Sequence, residues 1–89
     1  MSDEPIVLSR FLTKDGEIRQ YPKNLDKRRQ LLEWVASQAL EPGEVLSEVA
    51  LNNRLRPFSA DVAVLRRYLV DFGLVERTLS GTEYALVAP

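Results

Sequence analysis

The sequence predicts a small α+β domain in which two helices joined by a tight turn are followed by a β-hairpin. Three observations carry that expectation. Apolar residues recur at helical spacing in three stretches. The second and third of these are divided only by Arg56-Pro57-Phe58. The C-terminal stretch is rich in strand formers and broken once, at Ser80-Gly81. The order of strand, helix, short strand, helix, helix and hairpin matches the winged helix-turn-helix arrangement, with the hairpin as the wing. The alternative is an unrelated small α+β domain with the same elements docked differently.

Each element has a local reason. Residues 1–5 read as a loose tail, and residues 6–89 as a single winged-helix-like domain. Ile6 to Leu12 is short and apolar, suited to one helical turn or an irregular docking segment. Thr13-Lys14-Asp15-Gly16 is a turn signal. Glu17 to Tyr21 alternates polar and apolar residues, which predicts a short N-terminal strand ended by Pro22. A first helix is expected from Asp26, its N-cap, to about Leu40, with Leu31, Leu32, Val35 and Ala39 on its buried stripe. Trp34 falls at the stripe's margin, and Glu41-Pro42-Gly43 stops the helix.

Glu44-Val45-Leu46 suits one strand crossing and could add a third strand to the wing. Ser47 then caps a second helix through Leu55, with Leu51 and Leu55 on one face. Ser59 is the expected cap of a third helix over roughly Ala60 to Phe72, buried through Val62, Leu65, Leu69 and Phe72 and closed by Gly73. The hairpin strands are expected at 74–79 and 82–87, with Leu74, Tyr84 and Leu86 covering one side of the core.

Composition narrows the chemistry. The chain has 89 residues, no Cys and no His, so thiol nucleophiles, disulfides, imidazole bases and zinc or haem sites built on those ligands are excluded. Asp15 and Gly16 read as turn residues, since no carboxylate cluster has ligand spacing. No glycine-rich phosphate loop is present. Neither an enzymatic activity, nor a cofactor, nor a small-molecule substrate is expected. No apolar run approaches the roughly 20 residues of a spanning helix, and Met1 to Glu4 is acidic, unlike a signal peptide. The expectation is a soluble cytoplasmic protein.

The net charge is −1, which does not advertise a nucleic-acid partner. Its distribution is uneven. Residues 10–29 carry seven bases and three acids, and residues 54–67 carry four bases and one acid. Residues 30–53 hold four acids and no base. At 100° per residue, the third helix turns Ala60, Ala63, Val64, Arg67, Val70 and Asp71 away from its buried stripe, with Arg66 and Tyr68 on the flanks. Small and apolar residues around one arginine suit close approach to a grooved or flat partner. Two candidates fit: a DNA major groove, where Ala and Val meet thymine methyls, and an apolar protein surface.

At this point the sequence resembles the bacterial domain-of-unknown-function family numbered two thousand and eighty-seven. Two stretches carry the resemblance: Phe11 through Pro22 with the trio Lys27-Arg28-Arg29 and Leu31, and Asp61 through Arg77 with its core Leu65-Arg66-Arg67-Tyr68-Leu69-Val70-Asp71. It spans most of residues 8–87. The resemblance implies the winged-helix fold and the setting of transcriptional regulators, and it assigns no catalytic residue. Arg54 departs from the pattern, which implies an apolar residue there.

The functional expectation is a non-enzymatic winged-helix module that binds double-stranded DNA, alone or as a homodimer. Ala63, Val64 and Arg67 would face the groove. Arg66 and Arg67, with Arg54 and Arg56, would reach phosphates at its edges, and Ser59 would make a contact at the helix start. Lys27 and Arg29 would extend the basic surface, with Arg28 laying its stem along the core. A bland reading stands beside each of these. Arg66 would pair with Asp61 or Glu76, and Arg67 with Asp71. The trio would be a solvated helix start, opposed by the helix dipole by a few tenths of a kcal/mol. Tyr21, Tyr68 and Tyr84 read as packing residues rather than stacking platforms. The second functional expectation is a protein-interaction module that docks a regulatory partner or another copy without DNA. The pI of 5.4 and the uncharged wing tip favour it.

Overall fold

In the computed structural model the described residues are 7–80 and 82–87. The tail expected at 1–5 and the Gly81 half of the hairpin turn lie outside them. Helix α1 spans Leu25–Ala39, strand β1 Val45–Ser47, α2 Glu48–Leu55, α3 Val62–Asp71, β2 Val75–Arg77 and β3 Glu83–Leu86. The three strands form one antiparallel sheet in the order β1-β3-β2. The short strand before α2 therefore does join the wing, on the far side of β3. Three helices against this sheet, with the hairpin after α3, make a winged-helix-like α+β fold.

The core is aliphatic. Leu32, Val35, Leu51, Leu55, Leu65 and Leu69 are fully buried, and Leu46, Val75 and Tyr84 bring the sheet onto them. The expected stripe of α1 is buried at all four positions, as are Leu51 and Leu55 of α2. On α3, Leu65 and Leu69 are buried while Val62 and Phe72 are half-buried at its ends. Trp34 is half-buried and meets the Phe58 ring edge-on at 5.5 Å, which locks α1 to the α2–α3 turn. Val75 is 1% exposed although it stands in a strand of mixed pattern.

Two expected boundaries move. Asn24, not Asp26, caps α1: its Oδ1 accepts the Lys27 N–H at 3.0 Å. Asp26 instead lies in the first turn, where its negative charge suits the helix dipole. Asp61, not Ser59, caps α3, and its Oδ1 accepts the Val64 N–H at 3.2 Å. Ser59 makes a local turn in which its Oγ accepts the Asp61 N–H at 3.1 Å. Both competing residues are good caps, and the tertiary path of the preceding turn selects between them. The α3 end behaves as expected. Gly73 takes a positive φ of 73°, donating to the Val70 carbonyl while Leu74 donates to that of Leu69.

The N-terminal strand expected over Glu17–Tyr21 contracts to a single bridge between Leu12 and Ile18. The physical reason is the destination of the Ile18 N–H, which donates to the Phe58 carbonyl at 2.7 Å in the α2–α3 turn. Thr13 donates to the Glu17 carbonyl and Arg19 to the Phe11 carbonyl, both at 2.7 Å, which close this one bridge. A 3-10 turn at Leu8–Arg10 precedes it. The hairpin register pairs Arg77 with Tyr84, and Thr78 donates to the Glu83 carbonyl. That is the register a turn at 80–81 sets, with the strands shorter than 74–79 and 82–87. Hydroxyls of Thr78, Ser80 and Thr82, linked at 3.1 and 2.7 Å, take over beyond the ladder.

Candidate nucleic-acid interface

The outer face of α3 and the hairpin border a groove of about 400 Å³, lined by Glu48, Ala63, Arg66, Arg67, Val70, Asp71, Arg77 and Tyr84. Helix α3 supplies five of these because its inner face is committed to the core. The wing supplies Arg77 and Tyr84, paired across the ladder. Tyr84 turns inward and is buried, yet its hydroxyl reaches Glu48 at 3.1 Å.

The sequence-chosen residues separate into those that reach this groove and those that do not. Ala63 and Val64 are exposed on α3, Val64 to 39%. Arg67 is exposed and makes no hydrogen bond or ion pair with any described residue, so the expected pair with Asp71 does not form. Arg66 is half-buried. Its Nη1 donates to Asn52 Oδ1, and its Nη2 lies 3.7 Å from Glu48. Neither Asp61 nor Glu76, the expected partners, holds it. Arg77 lines the groove from β2 and was not among the sequence candidates. Its only sequence signal was a base in a strand that turns out to flank α3.

Arg54 is removed from the interface. It grips Glu44 through two bonds of 2.9 and 2.8 Å and donates to the Ala39 carbonyl at the end of α1. That fork is the geometry of a strong carboxylate pair. It also accounts for an arginine where an apolar residue was expected: Leu51 and Leu55 do the packing, and Arg54 ties α2 to the α1–β1 loop. The Arg54 guanidinium holds the Glu44 carboxyl below the usual carboxylate range, aided by the Glu41 backbone. The pair's contribution to stability is therefore present above the carboxyl's unfolded value and lost as pH falls through the lowered folded one. Arg56 is exposed on the α2–α3 turn, with a 3.5 Å contact to Asn53. Ser59 is occupied by its own turn.

The basic start of α1 lies along the other flank of α3. The Arg28 guanidinium sits 5.3 Å from the Tyr68 ring centre and that of Arg29 5.4 Å from Phe72. Arg28 also donates to the Pro22 carbonyl at 2.8 Å. Lys27 is exposed. The helix dipole thus opposes only Lys27 in the first turn; Arg28 and Arg29 are placed by aromatic contact. Beneath them Tyr21 meets Tyr68 edge-on at 4.7 Å. Burial, with the Tyr68 hydroxyl next, pushes the Tyr21 hydroxyl up to about 12. Ser59 acts on that hydroxyl electrostatically but outside hydrogen-bond geometry, and Tyr21 Oη has no partner among the described residues.

Among the described residues no group of three acidic side chains could hold a metal ion, and no helix is long and apolar enough to cross a membrane. Fold and site together define a small winged-helix-like domain whose outer helix face and hairpin enclose an arginine-lined groove. The chain belongs to the bacterial family described as "Uncharacterized protein conserved in bacteria (DUF2087)", whose model matches residues 17–86. No curated protein and no solved structure matches it.

Proposed function

We propose that this chain is a non-enzymatic, cytoplasmic winged-helix module that binds double-stranded DNA in a transcription-regulatory role. The observation that carries the reading is the convergence of Arg66, Arg67 and Arg77 on one groove between α3 and the wing, beside exposed Ala63 and Val64. A helix whose outer face is small and carries an arginine with no partner among the described residues fits a major groove, and a basic strand beside it fits the neighbouring phosphates. Lys27, Arg28 and Arg29 widen the basic surface along the opposite flank of α3. With Arg54 committed to Glu44, about three phosphates are neutralised at the groove. The affinity of one copy is then modest, and a second copy or a linked DNA-binding unit raises it.

Binding of random duplex DNA, followed by fluorescence anisotropy from 25 to 200 mM salt, tests this. The log–log slope should be near −3, at about −0.9 per phosphate. Arg67→Ala should remove about one unit of slope if it holds a phosphate. A wild type without salt-sensitive binding discards the reading.

A second reading, a protein-interaction module, has its own observation. An apolar groove of about 620 Å³ lies away from α3's outer face, between the C-terminal half of α1 and the base of the sheet, with Ala36, Val45, Leu74, Leu86 and Val87 in its lining. Self-association that disappears in Val45→Asp, in a chain that binds no DNA, would select this reading.

A further inference from the structure

We infer that Glu48 is a built-in competitor for the DNA phosphate at the α3–wing groove and so sets how tightly that groove binds. The inference rests on the DNA-binding reading above. Glu48 opens α2 and lines the groove with its side chain half exposed. One of its oxygens, Oε1, serves two groups at once: the Tyr84 hydroxyl at 3.1 Å and Arg66 Nη2 at 3.7 Å. A phenolic hydroxyl and a guanidinium meeting on one anionic oxygen are the donors a phosphate oxygen would use.

Arg66 is held unequally. Its Nη1 is fixed on Asn52 by a short bond, whereas Nη2 rests on Glu48 beyond hydrogen-bond distance. Asn52 therefore keeps the guanidinium at the groove while Nη2 is free to exchange a carboxylate for a phosphate. Any phosphate that takes Nη2 also comes close to the Glu48 charge. The carboxylate thus acts twice, by occupying the donors and by repelling the ligand that would replace it. Glu48 has no packing reason to be acidic, since a neutral residue of the same shape keeps the Tyr84 bond.

Glu48→Gln tests this by anisotropy with the same random duplex. The variant keeps an oxygen for Tyr84 and removes the charge. It should bind about two- to fivefold more tightly at 100 mM salt, the scale of one exposed ion pair. Its melting temperature should be equal to or slightly below wild type, because an acid is lost from a first helical turn. Tighter binding from a protein no more stable is not an effect of structural damage. In an Arg66→Gln background the gain should largely disappear, because the freed donor is gone. Equal or weaker binding by Glu48→Gln, with wild-type binding intact, overturns the inference while leaving the DNA reading in place. A gain undiminished in the Arg66→Gln background overturns the route through Arg66. Absence of salt-sensitive binding in both wild type and Glu48→Gln overturns the DNA reading itself and the competitor with it.

Discussion

The two faces of α3 differ in what holds their residues in place. On the inner face Leu65 and Leu69 are fully buried among Leu32, Val35, Leu51 and Leu55. Their positions follow from hydrophobic burial, which is non-directional and large. On the outer face Ala63, Val64 and Arg67 touch little, and Arg66 is set by two polar partners on α2. The inner face makes α3 a helix of this fold. The outer face is what remains available for a partner, and its character depends on which neighbours neutralise which charges. The contrast between Arg54 and Arg67 teaches this most directly. Both are arginines in basic stretches, yet one is locked on a carboxylate ten residues away in sequence and the other has no partner among the described residues.

The largest effect should come from removing what both faces lean on. Deleting residues 74–89 takes away Val75 and Tyr84 from the core and leaves β1 without the strand it pairs with. The expected result is a chain with no cooperative thermal transition by circular dichroism. A truncated chain that still melts cooperatively would mean that the helices stand without the wing.

Next is the inner face alone. Leu65→Ala should cost about 2–5 kcal/mol in urea unfolding, as for other fully buried leucines. Since small domains are stable by about 5–15 kcal/mol, the variant should be marginal. A loss well under 1 kcal/mol would break the division between the faces.

The flank comes third. Tyr21→Phe removes a buried hydroxyl without a partner among the described residues and keeps the edge contact with Tyr68, so stability should hold or rise by about 1 kcal/mol near neutral pH. The raised value of the Tyr21 hydroxyl adds a pH signature. Its neutral form is favoured in the folded chain, so that contribution is present below pH 10 and is lost as pH rises toward about 12. Alkaline melting curves should show a smaller fall in Tyr21→Phe than in wild type. An equal fall would assign it to other groups.

The smallest change in stability belongs to the outer face. Arg67→Ala should alter unfolding free energy by no more than about 0.5 kcal/mol, because the side chain is exposed and has no partner among the described residues. A larger loss would show that this face is structural after all.

Much of the fold was legible because it rests on periodicity. The stripes of α1, α2 and α3, the Ser47 cap, Gly73 and the hairpin register all follow from residue spacing and local backbone chemistry. The Glu17–Tyr21 segment shows where periodicity stops. Its alternation is real, but its pairing stops at the Leu12–Ile18 bridge, because the Ile18 N–H goes to the Phe58 carbonyl. The caps at Asn24 and Asp61 show a second limit, since Asp26 and Ser59 carry the same chemistry within two residues. The candidate interface was legible as a face and not as a set of contacts. Ala63, Val64 and Arg67 could be placed by angle along one helix. Arg77 could not, because only the docking of the wing brings it to α3.

By itself, then, the sequence determined the helices, their buried faces, the hairpin and the chemistry excluded by the lack of Cys and His. Those properties depend on neighbours in the chain and on side chains that are present or absent. Tertiary structure decided which charges remain open at the groove. Glu44 takes Arg54, Asn52 and Glu48 take Arg66, and the rings of Tyr68 and Phe72 take Arg28 and Arg29. Electrostatic pairing acts through space over a few ångströms, and residues 10 to 43 positions apart reach that distance only after the chain has folded.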